Sequence, residues 1–403
     1  MTDETLPAPV SIPATTTSSG GLAPPPVFGK VGLPSEPEEL KFSYVPRSGL
    51  WKLMFVNLLL NIVTLGFYRF WAKTNIRRHV WSCVHINGEP LEYTGTGKEK
   101  FMGFLIVFGT VLLPFILINA GLNIYLGPQN PALAAVQFIF ALFIYVMWGF
   151  AVYRSLNYML SRTNWRGIRG ALVGSAMTYS LLFFGSMLAK GMSMGWATPV
   201  MNTVLQEQLV SDMRFGDAAF KFKGRAGPLY PTYALCWILM LAAFIAAIVA
   251  ATGFASSFGN LKDLFKNAEN SENAKAIAGA IITAIALLLI VSLLVIPLIW
   301  SIYTAKELRT FATYTRFDGA PFTLRASAWS VIVLAVINLL LLVLTLGIAR
   351  PFIVQRTVRF FISRLSLEGK IDVDRIRQSE AKMLKRGEGM LEAFDIGGFL
   401  GGI

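Results

Sequence analysis

Charged side chains are scarce in this chain. Lys and Arg number 36 and Asp and Glu 23 among 403 residues, 15% in all, where a soluble domain carries about a quarter. Histidine and cysteine are scarcer still, with two of each. Cys83 and Cys236 cannot make a disulfide framework. His79, Cys83 and His85 fall close together, yet a closed zinc site needs four ligands, so neither a metal nor a cofactor is expected. No Ser, His and Asp arrangement stands out. The pair Gly95 and Gly97 lacks the third glycine and the strand–helix context of a nucleotide fingerprint, and reads as a strand-to-helix junction. An enzyme is not expected.

Hydrophobic residues, by contrast, make up 54% of the chain and gather in long runs at about 50–68, 101–126, 132–153, 172–189, 229–252, 276–302 and 327–349. Several reach the roughly 20 residues that a membrane helix needs. None shows the polar stripe of a soluble core helix, and none contains an acidic side chain. A proton-coupled transporter usually keeps a carboxylate or histidine in the membrane, so this absence favours passive conduction if the protein conducts at all. Polar residues in or beside the runs include Asn57, Asn61, Asn119, Asn123 and Asn338. Intramembrane asparagines more often bond helix to helix than line a path. The net charge of +13 fits loops on the cytoplasmic face, and its basic residues flank apolar runs rather than forming a nucleic-acid-binding domain.

Repetition organises the chain. Two short alternating stretches flank Asn87-Gly88, a strong hairpin signal. The pattern returns at Asp318-Gly319 and Glu368-Gly369, and more weakly at Arg166-Gly167 and Gly216-Asp217. Each copy follows an amphipathic, mostly basic helical stretch. Counted back from the turn glycine, Lys306 and Arg309 match Arg356 and Arg359, Arg78 matches the second place and Arg154 the first. The third copy has Thr203 and Gln206 there. A second element repeats as well: Thr64-Leu65-Gly66-Phe67-Tyr68-Arg69-Phe70 resembles Thr345-Leu346-Gly347-Ile348-Ala349-Arg350-Pro351. The equivalent strand residues Tyr44, Tyr93, Leu172, Phe222, Leu324 and Val373 are spaced by 49, 79, 50, 102 and 49 residues, so short and long units alternate. The expected organisation is a Pro/Ser/Thr-rich disordered tail at 1–41, a membrane domain at 42–378 and a C-terminal tail at 379–403. The units run at about 42–90, 91–168, 169–219, 220–321 and 322–373.

The positive-inside rule puts all five hairpins in the cytoplasm, with the uncharged loop at 127–131 and the charge-balanced loop at 253–275 outside. Long units cross twice and return. Short units hold one apolar run, and a single crossing would carry the next hairpin to the wrong face. From Gly49 to Gly66 is too short to cross a core of about 30 Å comfortably, although the run at 327–349 is long enough. We favour short units that dip in and return, bent at Gly66 and Gly347. Hairpins on one face can pair their free edges, so the expected fold is an α-helical polytopic membrane protein with internal repeats, its short β-hairpins forming a cytoplasmic β sheet or ring.

With these residues in view, the chain resembles the YjgN family of bacterial inner-membrane proteins. The resemblance rests on Thr64 through Ala72, on the basic helix through Arg77 and Arg78, and on the Asn-Gly hairpin ending in Tyr93-Thr94-Gly95. It covers about 40–378. Phe70 stands before Trp71 where the family block carries proline, and Pro351 occupies the equivalent position in the last copy. The resemblance implies a multi-pass inner-membrane location and supplies no catalytic residues.

Two functional expectations follow from different classes. The first is a channel or transporter-like protein, with a polar path along Asn57, Asn61 and Asn338. The second is a non-transporting scaffold whose basic helices hold anionic lipid headgroups or a membrane partner, with or without self-association. Arg69, Arg78, Arg350, Arg356 and Arg359 are its candidate contacts. The turn glycines Gly66, Gly88, Gly167, Gly216, Gly319, Gly347 and Gly369 set the architecture for either.

Overall fold

Short alternating stretches cannot stand alone as hairpins in water, and here they pair with one another. The computed structural model describes residues 37–127, 129–256, 271–290 and 295–378. The tail before residue 37, the charged stretch 257–270 of the loop at 253–275 and the tail at 379–403 lie outside the described residues. The strands are β1 (Glu38–Glu39), β2 (Phe42–Tyr44), β3 (Val84–Ile86), β4 (Glu89–Pro90), β5 (Glu92–Tyr93), β6 (Thr163–Trp165) and β7 (Ile168–Leu172). They continue as β8 (Met213–Phe215), β9 (Ala218–Phe222), β10 (Thr315–Phe317), β11 (Ala320–Leu324), β12 (Leu365–Leu367) and β13 (Lys370–Ile371).

Antiparallel pairing runs unbroken from β5 to β12, joins β2, β3 and β4, and joins β1 to β13. Only one or two residues separate β1 from β2, β4 from β5 and β12 from β13. The three sheets therefore follow on from one another as one closed ring, with no edge left open among the described strands. Tyr44, Tyr93, Leu172, Phe222 and Leu324 pair with Val84, Thr163, Met213, Thr315 and Leu365 in the same register. The residue after each, Val45, Thr94, Val173, Lys223 or Arg325, donates its N–H to the carbonyl of Cys83, Arg162, Asp212, Tyr314 or Arg364 at 2.8–3.3 Å. Side chains alternate across a strand. One set fills the ring: Trp165, Phe317, Leu367 and Ile371 are buried, with Phe215 between the rings of Trp165 (5.8 Å) and Phe317 (6.3 Å). Residues 372–378 cross its mouth. There Arg377 and Asp217 exchange two 3.0 Å bonds, Gln378 bonds to Gly167 and Arg169, and Arg375 pairs with Asp318.

Helices rise from this ring in pairs. They are α1 (Leu50–Val63), α2 (Arg69–Trp81), α3 (Gly97–Val107), α4 (Leu113–Leu126), α5 (Pro131–Ser161) and α6 (Ala176–Met192). They continue as α7 (Thr198–Asp212), α8 (Tyr230–Ser256), α9 (Ser271–Ile290), α10 (Ile296–Tyr314), α11 (Ala328–Leu344) and α12 (Arg350–Ile362). Strand passes to helix through a hydroxyl cap three residues after the paired strand residue. Thr96, Ser175 and Ser327 accept from the N–H groups of Glu99, Thr178 and Ser330. α3 and α4 join through the wide turn at Phe108–Leu112, so Gly97–Leu126 is one rod. That rod, Pro131–Ser161 and Gly227–Ala250 are long and apolar enough to cross a membrane.

The other three pairs bend back early, each at the same turn. After α1, Leu65 and Gly66 take φ of 50° and 90°; after α6, Met194 and Gly195 take 49° and 92°; after α11, Leu346 and Gly347 take 48° and 84°. The glycine N–H reaches back to Asn61, Lys190 or Leu342 at 2.7–2.8 Å, closing the helix end. The hydroxyl of Thr64, Ser193 or Thr345 then accepts the N–H of Tyr68, Ala197 or Ala349 at 2.8–3.0 Å, and so starts the return helix. Neighbouring pairs pack round the ring, and first meets last: the Trp51 and Phe352 rings lie 4.3 Å apart.

Three expectations change. The ring begins before residue 42, because Glu38–Glu39 pairs with β13 and Glu38 binds Arg166 at 2.8 Å. Expected as tail, these residues gain order only from partners distant in sequence. Asn87-Gly88, Arg166-Gly167 and Asp318-Gly319 have both φ values positive, whereas in the third hairpin only Gly216 does, at 59°. This is the alternative two-residue turn with glycine first. Strand register then makes Val204 and Glu207, not Thr203 and Gln206, the equivalents of Lys306 and Arg309. Glu368-Gly369 is a corner rather than a hairpin, since β12 pairs with β11 and β13 with β1. The run at 327–349, though long enough to cross, turns back at Thr345, the bend at Gly347 that the favoured reading of the short units expects.

Candidate functional site

Three features of this frame could do chemistry. The first is the ring interior. A cavity of about 180 Å³ remains there, lined by Phe42, Trp165, Phe215, Phe220, Phe317 and Phe322 and covered by Val373 and Ile376. Its lining is nearly all apolar. Sequence alternation put apolar residues on one strand face but could not show that these faces converge.

The second is a groove between α2 and α12, at the seam where the chain's first helix pair meets its last. Lys73, Arg77 and Arg350 line it together with Trp81, Ile76, Pro351 and Val354, around about 90 Å³. Lys73, Arg77 and Trp81 share a helix face by their spacing of four. The Arg77 guanidinium lies 5.8 Å from the Trp81 ring centre and 5.5 Å from that of Tyr93, and it donates to the Tyr93 hydroxyl at 3.3 Å. The Trp81 indole N–H is held by Thr163 Oγ1 at 3.0 Å, which ties the groove to the ring. Arg350 was legible as a candidate; its convergence with Lys73 and Arg77 was not.

The third is a buried polar chain between the third and fourth helix pairs. Lys190 Nζ donates to Asn202 Oδ1 at 2.7 Å, Asn202 Nδ2 donates to Glu307 Oε1 at 2.7 Å, and the Tyr303 hydroxyl donates to the same oxygen at 2.9 Å. Burial pushes the Glu307 carboxyl above its usual range, against the pull of the Asn202 and Tyr303 hydrogen bonds and of Lys190. No local signal marks Glu307, which lies just past the apolar run ending at 302.

The remaining expected residues scatter. The Arg69 guanidinium stacks over Phe70 (4.9 Å) and Phe104 (5.4 Å), and Arg78 donates to the Gly95 carbonyl at 3.1 Å. Asn338 donates to Thr357 at 3.1 Å, a bond between α11 and α12. Asn57 is buried on α1 and Asn61 is half-buried there, Arg356 is half-buried on α12 and Arg359 is exposed. No polar path joins Asn61 to Asn338 among the described contacts. Cys83 Sγ bonds to the His79 carbonyl at 3.3 Å, and His85 Nδ1 lies 3.2 Å from the Cys83 carbonyl. Burial and the Arg47 charge push His79 below its ordinary value.

Comparison with known proteins supports the family independently. "Inner membrane protein YjgN" of Salmonella typhimurium strain LT2 is 29% identical over 116 residues, covering 29% of this chain and 27% of that protein. The protein of the same name in Escherichia coli O157:H7 is 26% identical over 114 residues, covering 28% and 26%. The chain thus aligns with about a quarter of the length of these relatives. No solved structure matches it. The family described as "Bacterial protein of unknown function (DUF898)" matches residues 41–393. That match spans every helix pair and all of the ring except β1, and the chain belongs to this family of bacterial proteins, the YjgN family.

Proposed function

We propose that this inner-membrane protein is a non-conducting scaffold that holds the headgroup of an anionic phospholipid in the groove of Lys73, Arg77 and Arg350. The groove carries the reading. Three cations and an indole from two helices converge there, and basic pockets between membrane helices are suited to phosphate-bearing headgroups. The names of the relatives supply the inner-membrane location. The architecture we infer is a five-unit internal repeat, supported by the five equivalent hydrogen bonds around the ring. In it the two long units cross the membrane twice each and the ring faces the cytoplasm, as the basic hairpin connections favour. A non-conducting role is supported by the ring interior, where an axial path would meet an almost wholly apolar lining, a barrier to water and ions.

The test is lipid retention. The full chain, purified in detergent, is titrated with phosphatidylglycerol and with phosphatidylethanolamine, and bound lipid is counted by native mass spectrometry. Phosphatidylglycerol should bind more tightly, and each of Lys73→Gln, Arg77→Gln and Arg350→Gln should weaken it about fivefold, the equivalent of ~1 kcal/mol per charge. Equal retention of both lipids, or by all variants, would remove the reading. A conducting role keeps one observation of its own: Asn57 Nδ2, Asn61 Oδ1 and Asn338 Oδ1 are buried without a protein partner. Ion flux into vesicles holding the purified chain would favour that role.

A further inference from the structure

We infer that the tips of the three short helix pairs end inside the hydrocarbon of the bilayer, so that these pairs are anchored by one face of the membrane and do not cross it. Whether or not the groove holds lipid, the molecule holds two sets of matching turns that can be compared directly. Among the described residues, six that are not glycine have a left-handed φ: Leu65, Asn87, Arg166, Met194, Asp318 and Leu346. Their φ values lie between 47° and 50°, so the backbone demand is the same at all six. That conformation disfavours side chains other than Asn and Asp, whose short polar groups suit it. In the ring turns the residues are Asn87, Arg166 and Asp318. At the helix tips they are Leu65, Met194 and Leu346.

One backbone shape with opposite polarity means opposite surroundings. No packing inside the protein accounts for the apolar choice. Leu65 is 90% exposed, Met194 81% and Leu346 91%. Val63, Phe67, Met192, Leu344 and Ile348 beside them are exposed too, so each tip is a contiguous apolar cap. Such a cap in water would be an aggregation hazard. In hydrocarbon it needs no partner, and the turn binds its own N–H groups: the glycine's to the Asn61, Lys190 or Leu342 carbonyl, and that of Tyr68, Ala197 or Ala349 to the hydroxyl of Thr64, Ser193 or Thr345. Internal bonding of this kind is what hydrocarbon demands of a chain reversal. Length agrees: α1, α6 and α11 have 14, 17 and 17 residues, about 21–26 Å at a rise of about 1.5 Å each, short of a core about 30 Å thick. The first cations after the outer tips, Arg69 and Arg350, lie on the return helices, and Arg69 is shielded by two phenyl rings.

The experiment places a fluorophore on single cysteines, Leu65→Cys, Met194→Cys and Leu346→Cys, in a full chain carrying Cys83→Ala and Cys236→Ala. Asn87→Cys and Asp318→Cys serve as ring controls. The chains are reconstituted in phosphatidylglycerol–phosphatidylethanolamine vesicles with spin-labelled lipids whose nitroxide sits at the headgroup or near the chain end. The tips should lose more fluorescence to the chain-end nitroxide than to the headgroup nitroxide, and none to iodide; the ring controls should respond to iodide alone. Iodide quenching of the tips from either side of the vesicle would overturn the inference. So would tips shielded from all three quenchers, which would mean that protein covers them. If a labelled variant does not fold, Leu65→Asn and Leu346→Asn decide. Asparagine suits the backbone, so a fall in the yield of inserted protein is expected, and an unchanged or higher yield would overturn the inference.

Discussion

Short and long helix pairs grow from the same ring by the same junctions, yet end in different ways. In the long pairs, the rods Gly97–Leu126 and Pro131–Ser161 run 30 and 31 residues and are joined by a loop. In the short pairs, a hydroxyl, a left-handed apolar residue and a glycine reverse the chain within one turn after 14–17 residues. What both kinds share is the ring register, with one N–H to carbonyl bond at each of the five junctions. The difference teaches that the ring fixes where each pair begins and ends, while the length between is free. Residues added at the far end of a helix pair disturb no strand.

The largest effect should come from breaking what the two kinds share. Ile371 is fully buried in the strand that closes the ring against Glu38. Ile371→Asp buries a charge with no partner, at a cost of roughly 3 kcal/mol or more. The full chain should lose its folding transition in detergent, and a cooperative transition of unchanged midpoint would show that ring closure is dispensable.

A smaller effect separates the short pairs from one another. A Cβ added at Gly66 meets nothing within 4 Å, whereas one at Gly195 meets the Tyr233 hydroxyl at 2.9 Å. That hydroxyl belongs to a long pair and donates to the Gly195 carbonyl at 2.6 Å. Gly66→Ala should cost only the left-handed backbone term, about 1 kcal/mol; Gly195→Ala should cost more, read as a larger drop in thermal midpoint. Equal drops would mean that the third tip gains nothing from its long neighbour.

The smallest effect concerns pH. Burial raises the Glu307 carboxyl above the ordinary 4.5. The stability it contributes is therefore fully present below that value and is lost as pH rises through the raised one. Against Glu307→Gln, the wild-type chain should lose stability as pH rises from the acid range towards neutrality. Parallel curves would mean that the third and fourth pairs meet without an electrostatic penalty.

Much of this was written in the sequence. Apolar runs free of acid, turn dipeptides and the spacing of Tyr44, Tyr93, Leu172, Phe222 and Leu324 are local signals, because hydropathy and left-handed φ are properties of single residues and their neighbours. The first and last reversals were legible through Thr-Leu-Gly. The one at Ser193-Met194-Gly195 was not, because what the turn requires is a hydroxyl and a glycine rather than a repeated leucine. Tertiary structure alone decided the rest. Glu38–Glu39 became a strand through pairing with Lys370–Ile371, and Glu307 met Lys190 and Asn202 across two helix pairs. Arg350 met Lys73 and Arg77 only because the ring brings the last helix pair beside the first. Closure is a sum of the registers of ten strand pairings, and no stretch of sequence holds the partners that complete it.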